Sequence, residues 1–180
     1  MNKILFLDFD GVLNSVERAR NNIPFSEFIP ECVSFIQYLA CQGVQVVVSS
    51  SWRRGKTRAQ LGEILGVAIR GVTPAFAETG VTRGMEIKCW LDSNDELSSN
   101  YCIIDDYDDM LPEQKGRFVN TDCETGMKNI DMAKVCEILN VCLPNVKDHR
   151  VSGNISPCNT INPMSGTPVY RLVRFVFNHL

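Results

Sequence analysis

The sequence is poor in the groupings that build most soft-metal and redox sites. Its only two histidines, His149 and His179, both come late, and none of its eight cysteines forms a CxxC pair. Zinc-ribbon and dithiol motifs, which need that spacing, are thereby excluded. Long apolar runs are also missing: Ile4–Leu7 and Val46–Val48 are far too short to span a bilayer, so no membrane association is expected. The amino-terminal stretch MNKILFLDFDGVL carries Lys3, but Asp8 and Asp10 cut its apolar run, and it does not read as a signal peptide. There is no basic excess either. Lys and Arg number 18 against 21 Asp and Glu, for a net charge of −3. That balance argues against a broad nucleic-acid-coating surface, though not against a small basic patch.

What remains is ordinary for a soluble globular chain: 180 residues, 44% hydrophobic and 22% charged. Such a length buries a core without metals or disulfides. The cysteines therefore read as reduced thiols in the core of a cytoplasmic protein, with Cys102 in a strand and Cys32, Cys41 and Cys136 in helices.

Apolar segments at 3–8, 44–48, 101–104 and 118–119 predict short buried strands. Helical spacing predicts helices over 30–42, 57–65, 84–91 and 131–139, with Pro30 in a first turn and Gly43 and Gly66 as stops. Residues 14–28 read as irregular. Buried strands alternating with helices predict an α/β fold of three layers, Rossmann-like, with a parallel sheet covered by helices on both faces. Two regions follow: a catalytic domain over 1–142, and a Pro/Asn/Ser-rich tail over 143–180 ending in an apolar segment of no assigned role.

Each strong strand runs into a polar cluster, and open α/β sheets bind ligands at the carboxyl ends of their strands. In LFLDFDGVLN, Asp8 and Asp10 leave a strand together and Gly11 permits an immediate turn. Two crowded carboxylates repel unless a cation or a shared proton offsets them; a hard divalent cation is the simplest answer. In VVVSSSWRR, the hydroxyls of Ser49 and Ser50 face an anion, while Arg53 and Arg54 carry the matching charge. In TRGMEIKCWL, Arg83 opens a helix whose amino terminus favours anions, with Lys88 further along. In YCIIDDYDDM, a strand ends in Asp105 and Asp106; Asp108 and Asp109 follow and are expected in solvent or behind the site.

These four motifs, in this order, resemble those of the haloacid dehalogenase (HAD) superfamily, most of whose members are Mg²⁺-dependent phosphohydrolases. DFDGVLN, SSSWR, RGxEIxxWL and IDD are similar, more narrowly, to the HAD domains of Swiss Army Knife RNA repair proteins. The resemblance implies that Asp8 is the nucleophile and becomes an aspartyl-phosphate. It makes Asp10 the general acid and base. It assigns the phosphate-binding hydroxyl to Ser49, with Ser50 as the alternative, and the cation to Arg83, with Lys88 in play because relatives usually have Lys. Asp8, Asp10 (through its carbonyl), Asp106 and Asp105 would hold Mg²⁺. The connections 14–44 and 52–83 are too short for a cap domain, so a capless core is expected. An open site suits a bulky phosphorylated substrate such as a nucleic-acid end, as for a polynucleotide 3′-phosphatase, with Trp52 and Arg53 gripping it. A small-molecule or nucleotide phosphatase, and a receiver-type phospho-acceptor, are the alternatives.

Overall fold

A computed structural model describes residues 2–96 and 100–144. The expectations for the tail beyond Pro144 lie outside the described residues. Five strands form one parallel sheet: β1 (Lys3–Leu7), β2 (Val44–Val48), β3 (Ile69–Val72), β4 (Asn100–Asp105) and β5 (Phe118–Asn120), in the order β3-β2-β1-β4-β5. The helices are α1 (Val16–Arg20), α2 (Pro30–Cys41), α3 (Arg58–Leu65), α4 (Arg83–Ser93) and α5 (Asn129–Leu139). A 3-10 turn covers Ser51–Arg53.

The three-layer α/β architecture follows from alternation in the central strand. Leu5 and Leu7 of β1 join Phe35 and Leu39 of α2, Leu61 of α3 and Val135 of α5 on one face. Ile4 and Phe6 join Ile87, Trp90 and Leu91 of α4 on the other. A strand with two covered faces must be apolar wherever it is covered, and β1 is so from Ile4 to Leu7, with Lys3 only partly buried at its start. Burial of these side chains supplies the main stabilisation, at about 25 cal/mol per Å² of apolar surface.

Local sequence fixes the helix ends. Pro30 sits in the first turn of α2, where its missing N–H costs nothing. Thr57 and Gln60 make a reciprocal capping box on α3, and Gly66 closes that helix in the left-handed conformation. Two elements differ from the sequence expectation. Residues 16–20 form α1, capped by Ser15. Residues 69–72 form β3, whose Arg70 and Gly71 interrupt the apolar pattern that marks the other strands. The cysteines also divide. Cys32, Cys102 and Cys136 are buried, whereas Cys41, Cys123 and Cys142 are exposed, so the core reading holds for only some of them. Burial pushes the Cys32 thiol up to about 12, which makes it inert.

The chain builds β1, β2 and β3 outward on one side, then crosses to build β4 and β5 on the other. The point of reversal lies between β1 and β4, where such sheets open a crevice at their carboxyl ends. Asp8 leaves β1 there, and Asp105 ends β4 there.

Candidate active site

Asp8, Asp105 and Asp106 converge at this crevice, with one carboxylate oxygen from each within 4.8 Å of the others. Asp8 is 5% exposed and Asp105 2%; Asp106 is half-buried. Gly11 makes the convergence possible. It adopts φ +69°, and a Cβ there would collide with the Asp106 carboxylate.

Burial and mutual repulsion disturb all three acids. The Asp105 carboxyl is pushed up to about 7, first by burial and then by the charge of Asp8, against the pull of Arg83. Burial also raises Asp8, with Arg83 opposing and Asp106 adding to the rise. Burial raises Asp106 as well. The donor set is all carboxylate, and Asp105 Oδ2 is buried without a hydrogen bond. Such a set fits a hard divalent cation of the Mg²⁺ type. The Asp10 carboxylate stands outside this trio.

Arg83 is the cation nearest the trio. Its Nη1 donates to Asp8 Oδ1 at 3.0 Å and lies 3.4 Å from Asp105 Oδ2. It also donates to the Ser49 carbonyl. Burial works against its charge, but Asp105 and Asp8 more than offset that and raise it. The backbone holds Arg83 at the start of α4. Thr82 caps the helix, and the Arg83 N–H donates to Asp109 Oδ2 at 2.9 Å. Gly84 lets α4 lie against Leu111 and the 3-10 turn that follows it (Pro112–Arg117), because a Cβ there would strike Gln114 and the Leu111 backbone.

The candidate residues are not all brought together. Lys88 is five residues beyond Arg83, which rotates it about 140° around the helix. It is exposed and pairs with Asp92 at 3.0 Å, so it does not share the site with Arg83. Of the two serines, it is the Ser50 hydroxyl that helps to lower the Asp8 carboxyl, and it also accepts from the Trp52 N–H at 3.3 Å. The Ser49 hydroxyl is buried without a partner, and its carbonyl serves Arg53 and Arg83. The register alternative is therefore the one that meets Asp8.

Arg53 and Trp52 also face other partners than expected. Arg53 is 8% exposed and donates to the carbonyls of Ser49, Ser50, Thr73 and Pro74 and to Glu86 Oε2 at 2.6 Å. Its guanidinium ties the β2 loop to α4 and is spent on protein acceptors rather than on a substrate. Trp52 packs between Phe9 and Phe28, and its Nε1 donates to Asp10 Oδ2 at 2.9 Å.

Two contributors escaped the sequence reading. Asn14 Nδ2 donates to Asp10 Oδ1 at 2.7 Å, and its Oδ1 accepts from the Gly11 N–H. Asn14 and Trp52 thus hold the Asp10 carboxylate from both oxygens. Glu86 is buried between Arg53 and Arg83, 3.7 Å from Arg83 Nε. Its place three residues after Arg83 was the available signal, since such residues share a helix face.

A model of the HAD domain in Swiss Army Knife RNA repair proteins matches residues 4–132, most of the chain. The chain belongs to this family. No curated protein and no solved structure matches it. Membership implies phosphatase-type chemistry for the HAD domain, and the matched span holds the acidic trio, Asp10, Ser50 and Arg83. No helix among the described residues is long and apolar enough to cross a membrane.

Proposed function

We propose that this HAD domain is a Mg²⁺-dependent phosphatase that works through an aspartyl-phosphate on Asp8 and acts on the phosphate of a nucleic-acid end. The observation that carries the chemistry is the trio of carboxylates, two buried and one half-buried, beside Arg83 at the point where the sheet reverses. Asp8, Asp105 and Asp106 would hold the metal, with the Asp10 carbonyl available to it. When bound, Mg²⁺ would supply positive charge that offsets the carboxylates and the transferring phosphoryl group.

The residues then divide the work. A carboxylate oxygen of Asp8 bonds to phosphorus as the bond to the leaving oxygen breaks. Asp10 gives its proton to that oxygen. Water next attacks phosphorus and passes a proton to Asp10, the bond to Asp8 breaks, and inorganic phosphate leaves. Arg83 and the Ser50 hydroxyl donate to the phosphoryl oxygens as charge builds on them. Asn14 and Trp52 keep the Asp10 carboxylate turned one way through both steps.

The nucleic-acid part rests on the family description and on the absence of an inserted cap. The β1–β2 connection is spent on α1 and α2, and the next one on α3 and β3. The cysteines of the described residues are all free, which fits a reducing cytoplasmic setting. A Mg²⁺ assay on a 3′-phosphorylated oligonucleotide, a 5′-phosphorylated one, mononucleotides and an aryl phosphate tests the reading. Preference for an oligonucleotide end is expected. Equal slow rates on all would remove the nucleic-acid assignment and leave a small-molecule phosphatase. A stable phosphoprotein without turnover would point to a phospho-acceptor instead.

A further inference from the structure

Most lysines and arginines of the described residues stand beside a carboxylate, as Arg18, Arg20, Arg53, Arg70, Lys88, Lys115 and Lys128 do. Arg54, Lys56 and Arg58 do not. They are exposed, lie within five residues of one another, and have no ion-pair partner among the described residues. No Asp or Glu occurs anywhere between Ser49 and Gly62. In a chain of negative net charge that pairs most of its other described cations with carboxylates, three without an ion pair so close together are an exception.

Their placement gives the exception a direction. Arg54 lines a cleft of about 220 Å³ together with Arg83, Glu86, Asp109 and Phe76. Lys56 Nζ lies 4.9 Å from the centre of the Trp52 ring, whose N–H holds Asp10. Arg58 is fastened to the fold by its hydrogen bond to the Arg70 carbonyl at 3.0 Å, and Thr57 caps α3 between them. Arg54 thus stands at the cleft of Arg83, Lys56 beside Trp52, and Arg58 at the start of α3. Phe76, 38% exposed, offers an aromatic face in the same cleft.

We infer that Arg54, Lys56 and Arg58 form a track for the sugar–phosphate backbone of a single-stranded polynucleotide, with its terminal nucleoside against Phe76 and its terminal phosphate at Arg83. This deepens the proposed phosphatase reading and rests on it. A lone phosphate ester would be satisfied at Arg83 and would leave Lys56 and Arg58 without an anion. A polynucleotide carries the evenly repeated charges that a line of bare cations matches. Its bases supply the flat surface that an exposed aromatic side chain stacks on.

The test uses the full chain and a variant with Arg54→Ala, Lys56→Ala and Arg58→Ala. Binding of a fluorescent single-stranded oligonucleotide without a terminal phosphate is followed by anisotropy across a salt series. Each phosphate contact contributes about 0.7 to the log–log salt slope for single strands, so removing all three cations should flatten it by about 2. Hydrolysis of 4-nitrophenyl phosphate should be unchanged in a second variant that carries only Lys56→Ala and Arg58→Ala, the two cations that lie outside the cleft. An unchanged salt slope, no binding by the wild type, or a matching loss of aryl phosphatase activity in the second variant would overturn the track. Failure of the wild type and both variants to hydrolyse any phosphate ester would instead overturn the phosphatase reading, while the binding result would still decide the track.

Discussion

The two ends of the sheet treat buried charge in opposite ways. At the amino end, Glu96 is 7% exposed, and a single oxygen of it accepts from Arg70 at 2.6 Å and from Asn2 at 2.9 Å. One buried anion there meets at least one cation and one neutral donor among the described residues. At the carboxyl end, Asp8, Asp105 and Asp106 crowd together, and Arg83 serves Asp8, Asp105 and Glu86 at once. The first arrangement is complete as it stands. The second carries a surplus of negative charge, which costs stability unless a cation joins it. That surplus marks the carboxyl end as the working end.

The largest effect that should separate the two ends comes from Asp8→Asn. It removes the proposed nucleophile, so phosphatase turnover should fall by at least about 10³-fold. It also removes one of the crowded charges, so the melting temperature of the metal-free protein should not fall. Retained turnover, or a variant that unfolds, would erase the contrast. Next comes Trp52→Phe, which keeps the ring but deletes the N–H on Asp10. General acid catalysis matters most for poor leaving groups. The variant should therefore lose about tenfold in kcat/KM on an alkyl phosphate and little on an activated aryl phosphate. The ratio of the two is taken on one preparation, so misfolded protein cancels; an equal loss on both would show that Trp52 does not position the acid.

At the amino end, Glu96→Gln should do the reverse. It leaves Arg70 without its countercharge and should cost about 1–2 kcal/mol in chemical denaturation, with turnover kept. A loss of activity without loss of stability would break the division of labour. The last contrast is in pH. Asp105 has a carboxyl raised from 3.8 to about 7, so the folded state holds this proton more tightly than the unfolded chain. The stability that this proton contributes is complete below 3.8 and is lost as pH rises to about 7. Without divalent cations, Asp105→Asn should match the wild type at the acid limit and become the more stable of the two toward neutrality. An advantage that shrinks as pH rises would contradict that sign.

Sequence patterning reveals much of this design. Mainly apolar strands, the three strongest running into Asp or Ser, locate the sheet, the edge where the polar residues gather and the family at once. Patterning alone does not resolve neighbours. Ser49 and Ser50 differ only in where β2 yields to the 3-10 turn, and that turn decides which hydroxyl meets Asp8. The same turn sends Arg53 into the core and leaves Arg54 outside, although both look alike in the sequence. β3 is hidden because pairing with β2, rather than its own residues, makes IRGV a strand. The grip of Trp52 on Asp10 joins residues 42 positions apart, and no local period encodes it.

The central claim is that the carboxyl end of the sheet is completed by a divalent cation. Thermal unfolding across a Mg²⁺ series at neutral pH tests it most directly, with wild type, Asp105→Asn and Glu96→Gln side by side. The account predicts a saturable rise in melting temperature for the wild type and for Glu96→Gln, and its loss in Asp105→Asn. No rise in the wild type, or an equal rise in Asp105→Asn, would contradict it.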